Sequence, residues 1–75
     1  MENVFENALT EAEQYVRECE QLVRKQAAMV DRLEKDDQGE AAEDARQELV
    51  MLEKDLDLAR VYLRMERAVC DAQLV

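Results

Sequence analysis

Few residues of this chain could take part in catalysis. The only thiols belong to Cys19 and Cys70, and the 75-residue sequence contains neither His nor Ser. A Ser–His–Asp triad or a Cys–His pair therefore cannot form, and a structural zinc site would lack its usual set of four Cys and His ligands. One glycine is also too few for a phosphate-binding loop. We expect no enzyme activity, no cofactor and no bound metal.

Charged residues could still bind a partner. Three basic residues lie close together in the second half: Arg60, Arg64 and Arg67. We expect them to pair with an acidic edge of the first half that contains Glu11, Glu13 and Glu18; binding of an anion or of RNA phosphates is the alternative. Because the net charge is −9, the chain as a whole should repel nucleic acid and anionic membranes.

The sequence also lacks the marks of a membrane or secreted protein. No apolar stretch approaches the roughly 20 residues that a membrane-spanning helix needs. The start, Met1-Glu2-Asn3-Val4, lacks the basic residues and apolar segment of a signal peptide. We therefore expect a cytoplasmic protein with reduced thiols.

Apolar residues recur at alternating steps of four and three in both halves, which is the heptad pattern of a helix–helix seam. The first series is Phe5, Leu9, Ala12, Val16, Cys19, Val23, Gln26, Val30 and Leu33. The second is Ala42, Ala45, Leu49, Leu52, Leu56, Ala59, Leu63, Glu66, Cys70 and Gln73. Helix-forming residues dominate and proline is absent. The pattern predicts an all-α, antiparallel two-helix hairpin.

The chain forms one domain, residues 1–75, in this interpretation. Helix 1 spans about 3–36 and starts at an Asn3–Glu6 capping box. The turn spans about 37–40, where Gly39 can supply a positive φ, and helix 2 spans about 41–73. Seam residues whose numbers sum to 75 then face each other. This register places Cys19 and Cys70 roughly 21 Å apart, too far for a disulfide, so we expect two buried free thiols.

Two polar residues occupy seam positions. Gln26 could fix the register or the oligomeric state, extend its amide to solvent, or contact a ligand. Glu66 could be solvated at the open end of the hairpin, or could be a proton-active or ligand-binding carboxylate. The sequence leaves these alternatives open.

A second apolar stripe lies outside the seam. On helix 2 it comprises Met51, Leu58, Tyr62, Met65 and Val69, and these five residues are the predicted interaction surface. On helix 1, the seam is widened on one flank by Val4, Tyr15, Leu22 and Met29, of which the last three are spaced by seven residues. A stripe this wide is typical of a helix with more than one neighbour. We therefore predict a homodimer that forms a four-helix bundle; the alternatives are a monomer with a partly exposed apolar flank and a complex with an unidentified protein partner.

The stretch from Ala12 to Leu52 resembles a group of small, uncharacterised bacterial helical-hairpin proteins. The likeness is carried by Glu18 and Glu20, by Val23-Arg24-Lys25-Gln26 and Val30-Asp31-Arg32-Leu33-Glu34-Lys35-Asp36, and by Gly39, Ala45 and Leu49. This resemblance implies a hairpin but no function. In size, acidity, seam cysteine and acidic turn, the chain is also similar to the plasmid repressor-of-primer proteins, which dimerise into a four-helix bundle and bind paired RNA loops.

Two functional expectations follow. The first is a non-enzymatic, homodimeric protein-interaction module that uses the second apolar stripe. The alternative, implied by the repressor-of-primer likeness, is a small RNA-binding regulator, which requires Arg60, Arg64 and Arg67 to face solvent.

Overall fold

The computed structural model describes residues 4–73, which form two long helices. Helix α1 spans Val4–Lys35 and helix α2 spans Gly39–Gln73. They pack along their length as a hairpin measuring 56 × 19 × 11 Å, and the longest dimension agrees with about 1.5 Å per residue over 35 residues. The all-α hairpin is confirmed. The predicted cap at Asn3 lies outside the described residues.

The largest cluster of buried side chains lies in the half of the hairpin away from the turn. Its members are Ala12, Val16, Cys19, Leu56, Ala59 and Leu63, with Leu9 and Val23 packed against them. The cluster contains both members of three predicted pairs whose numbers sum to 75. Nearer the turn, Val30, Ala42 and Ala45 continue the buried seam. The packing is therefore consistent with the register that the heptad pattern predicts.

Small side chains bring the helices close together. Ala12, Ala42 and Ala59 are each only 2% exposed, and the distance between packed helices depends on the side chains at the contact. Cys19 and Cys70 serve as two further small seam residues. Both thiols are buried and free, as expected.

The seam loosens toward the chain ends. Cys70 is buried, but Phe5, its predicted partner, remains 38% exposed. Glu66 is half-buried in this region and Gln73 is exposed. The last predicted layers are therefore less closed than those at the centre.

Gln26 binds across the seam. Its side-chain amide Nε2 donates a hydrogen bond to the backbone carbonyl of Ala45 at 3.0 Å, in a part-buried position. The carbonyl lies on the other helix, one turn before Leu49, the predicted partner. The hydrogen bond satisfies an amide that the seam would otherwise desolvate, and it favours the register-fixing role over a free, solvated amide.

The turn differs from the prediction. Asp37, not Gly39, has the positive φ, at 59°, and Gly39 is already the first residue of α2. Backbone hydrogen bonds from Gln38 N to Leu33 O and from Asp37 N to Glu34 O form a Schellman motif at the end of α1. This motif places its left-handed residue at Asp37, since Asp tolerates that conformation better than most residues.

Exchanging the residue types at these two positions tests the turn. We expect Asp37→Gly to raise the free energy of unfolding by about 1 kcal/mol, because glycine adopts a positive φ without strain. We expect Gly39→Ala to raise it by about 0.4–1 kcal/mol, since Gly39 is helical and an added Cβ would meet no atom within 4 Å. Urea unfolding followed by circular dichroism measures both changes. Destabilisation by Gly39→Ala would indicate that Gly39 is the left-handed residue.

Candidate interaction surface

The two edges of the seam differ in character. If Val16 and Cys19 occupy heptad positions a and d, the e positions line one edge of the hairpin and the g positions line the other. On the e edge, Arg46 binds Glu34 at 2.6 Å and Arg60 lies 3.9 Å from Glu20. Both pairs join α1 to α2. The first pair is separated from the second by two heptads along each helix. All four side chains are at least 39% exposed, so each pair contributes at most about 1 kcal/mol.

These contacts correct the predicted partners of the basic group. Arg60 approaches Glu20 and, within its own helix, Asp57 at 4.0 Å. It does not pair with the predicted acidic edge: Glu11 and Glu18 occupy c positions on the opposite side of α1. Glu13 shares the e edge with Arg67, but no ion pair within 4.0 Å forms there in residues 4–73. Arg46, which the sequence interpretation did not single out, bridges Glu34 and Glu43 instead.

The opposite edge is apolar and faces solvent. The five predicted surface residues of α2, Met51, Leu58, Tyr62, Met65 and Val69, are between 42% and 68% exposed. On α1, Tyr15, Leu22 and Met29 occupy consecutive g positions and are between 49% and 51% exposed. We call these eight residues the apolar face. On α2, the larger part of the apolar face lies away from the turn, because Glu48 and Asp55 occupy the g positions nearer the turn.

Side chains from both helices meet in an open groove of about 480 Å³ on this face. The lining residues are Ala8, Glu11, Ala12, Tyr15, Leu58, Ala59 and Tyr62. Ala12 and Ala59 are seam residues, and their small side chains leave a depression between the exposed Tyr15, Leu58 and Tyr62. The groove therefore joins the stripe of α2 to the flank of α1 in one surface.

The sequence interpretation identified the walls of this groove but not its floor. It assigned Ala12 and Ala59 to the seam and placed Glu11 on an acidic edge. One feature of the sequence could have indicated the groove: a small seam residue next to a tyrosine at a g position. Because the depth of the groove depends on how closely the helices approach, the heptad pattern alone does not predict it.

Both tyrosines of the groove resist ionisation. The pKa of Tyr62 is raised above its ordinary value of 10.0, chiefly because its hydroxyl hydrogen-bonds to the Glu66 carboxylate, and Glu11 adds to the effect. The pKa of Tyr15 is also raised, first by the Cys19 thiol and to a smaller extent by burial and Asp55. Glu66 is thus a half-buried acceptor for Tyr62 in the next turn.

Other kinds of site find no support in the described helices. Among residues 4–73, no group of three or more His, Cys, Asp or Glu side chains could hold a metal ion. Neither described helix is long and apolar enough to cross a membrane. No family model, curated protein or solved structure matches the chain.

Replacing Glu66 tests the tyrosine contact. In a Tyr15→Phe background, the phenolate absorbance of Tyr62 should titrate above pH 10, and Glu66→Gln should lower that pKa toward its ordinary value. The neutral phenol is the favoured form, so the contact is present below pH 10 and is lost as the pH rises through the raised pKa. Glu53→Gln, on the other edge, is the control. An unchanged titration in Glu66→Gln would contradict the contact.

Proposed function

We propose that this chain is a non-enzymatic protein-interaction module that associates with a second copy of itself through the apolar face, forming a four-helix bundle. The observation that carries the proposal is the exposure of eight large apolar side chains on one side of the hairpin. They recur at heptad spacing on both helices, so they form a second potential seam. Exposed patches of this kind mark association sites in soluble proteins.

The exposed area also favours self-association. The chain exposes 5915 Å², whereas a compact monomer of 8.7 kDa would expose about 4700 Å². The excess of about 1200 Å² exceeds the ~800 Å² that each partner buries in a standard interface. The radius of gyration, 17.0 Å, is likewise larger than the ~11 Å of a globular chain of this length. Pairing two hairpins along the apolar face would reduce both differences.

The positions of the nucleophilic residues support a non-enzymatic role. Cys19 and Cys70 are each 6% exposed and lie within the seam. A catalytic thiol needs access to its substrate and a group that activates it, and the sequence has no His to do so. The tyrosines have raised pKa values, which makes them poorer nucleophiles near neutral pH.

The RNA-binding alternative has weaker support. Arg60, Arg64 and Arg67 are exposed, as that function requires. Arg60, however, lies near two carboxylates, Glu20 and Asp57, and the chain carries a net charge of −9. Phosphate contacts supply most of the affinity of RNA-binding proteins, so this charge distribution favours a protein partner.

Charged substitutions on the apolar face test the proposed function. The wild type should melt at a temperature that rises with protein concentration, as expected for a folded dimer. The Leu58→Glu, Met65→Glu variant should dimerise at least about a hundredfold more weakly, because two charges per copy enter the centre of the contact. Light scattering coupled to size-exclusion chromatography measures the mass, and circular dichroism follows melting.

The matched control is Val50→Glu, Val61→Glu. Val50 and Val61 are 49% and 42% exposed but lie outside the apolar face, so this variant adds the same charge and should remain dimeric. Equal dimerisation of both double variants would exclude the apolar face as the contact. A wild type that is monomeric and yet binds another protein through these residues would contradict self-association and indicate a different partner.

A further inference from the structure

The charged residues around the groove are acidic. Four carboxylates lie in its lining or beside it: Glu11, Glu18, Asp55 and Glu66. Glu11 is the one charged residue among the described residues that line the groove. The other three are close enough to raise the pKa of a groove tyrosine. None of the four forms an ion pair within 4.0 Å in the part of the chain that the structure describes.

Basic residues do not balance these carboxylates on the same side of the hairpin. The c and g positions of both helices lie on the side of the groove, and none of them holds Lys or Arg in α2. In α1 the first such residue is Lys25, which lies ten residues from Tyr15, or about 15 Å along the helix. A cleft bordered by charges of one sign attracts ligands of the opposite sign, so the groove favours a cation.

The groove has the size of a small-molecule site. Its volume of about 480 Å³ falls within the range of roughly 300–1,000 Å³ that is usual for ligand pockets. The lining extends from Ala8 to Tyr15 on α1 and from Leu58 to Tyr62 on α2, so it covers about two helical turns, or roughly 10 Å. A partner helix would need anchor positions over a longer distance. The dimensions therefore suit one small molecule.

The lining also restricts the chemistry of the ligand. No group of three or more His, Cys, Asp or Glu side chains in residues 4–73 could hold a metal ion. The carboxylates would repel an anion, and a neutral apolar molecule would remove water from Glu11 without supplying a positive charge. An organic cation avoids both costs. Its apolar part would cover Leu58, and its charged group would lie near the carboxylates and the rings of Tyr15 and Tyr62, whose faces attract cations.

We propose that the groove binds a small amphipathic organic cation of the alkylammonium type, and that the bound cation excludes the second copy of the chain. The ligand would cover Tyr15, Leu58 and Tyr62, which the proposed dimer also covers, so one hairpin cannot bind both at once. The site is complete within a single hairpin, and only the exclusion rests on the proposed function. By linkage, the cation and the second copy each weaken the binding of the other.

Tyrosine fluorescence measures binding at this site. The chain has two tyrosines and no tryptophan, and both tyrosines line the groove. Hexyltrimethylammonium should bind with a Kd of about 1 mM. It should bind at least about fivefold more tightly than hexanol, which has the same alkyl chain without the charge, and hexanesulfonate should bind more weakly than either. No binding of the ammonium, or equal binding of the alcohol, would overturn the site.

Two charge-matched variants separate the groove from the net charge of the chain. Glu11→Gln, Asp55→Asn removes two carboxylates at the groove with little change of shape, so the affinity for the ammonium should fall about fivefold or more and that for hexanol should change little. Glu53→Gln, Asp71→Asn removes the same charge from e and b positions on the other edge and should bind the ammonium within about twofold of the wild type. Equal losses in both variants would show attraction by net charge alone and would overturn the site.

Filling the groove gives a second, independent test. Ala8 lines the groove, so Ala8→Phe should place its ring in the ligand volume and weaken binding of the ammonium at least about tenfold. Ala28→Phe is the control, because Ala28 is exposed at an outward f position and the same residue type is introduced into the same helix. Circular dichroism checks that both variants fold. Binding retained by Ala8→Phe would contradict the location of the site.

Sedimentation equilibrium measures the exclusion. At about ten times the Kd of hexyltrimethylammonium, the apparent dissociation constant of the dimer should rise about a hundredfold, because both grooves must be empty for the dimer to form. Tetramethylammonium at the same concentration, which lacks the alkyl chain, is the control. A dimer of unchanged strength would overturn the exclusion and leave the site. A wild type that binds the ammonium but is monomeric without it would support the site and contradict the proposed function.

Discussion

The narrow seam between the helices determines the other features of this structure. Its residues repeat at steps of three and four, so each helix can present only one strip to the other. Ala12, Ala42 and Ala59 keep that strip thin and the helices close together. A thin seam buries little apolar area for a chain of this length, and about half of the large apolar side chains between residues 4 and 73 consequently remain outside it. The proposed association follows from that imbalance.

The seam also gives the hairpin two unequal edges. Residues at e positions fall on one edge, where Arg46 and Arg60 approach carboxylates of α1. Residues at g positions fall on the other edge, where Tyr15 and Tyr62 border the groove. An edge with internally paired charges has little to gain from a partner, whereas an exposed apolar edge gains by leaving water. The difference between the edges thus identifies the surface available for association.

The heptad pattern predicted the features that depend on position along the helices. Both helices, the burial of the thiols and the members of the central cluster follow from the spacing of apolar residues. The left-handed residue of the turn does not follow from this spacing, because the last hydrogen bonds of α1 determine its position. Gly39 was predicted for that position only because of its residue type. The predicted partners of Arg60 were also wrong, since ion pairing depends on which side of the seam a residue occupies. The groove could not be predicted, because its depth depends on the distance between the helices, and the spacing of residues does not give that distance.

Association through the apolar face is the central claim, and the mass of the unmodified chain in solution tests it most directly. Sedimentation equilibrium over a range of micromolar concentrations should give twice the 8.7 kDa of one chain, with dissociation toward one chain on dilution. A mass of one chain throughout that range would contradict the account, because the apolar face would then remain exposed in the isolated hairpin.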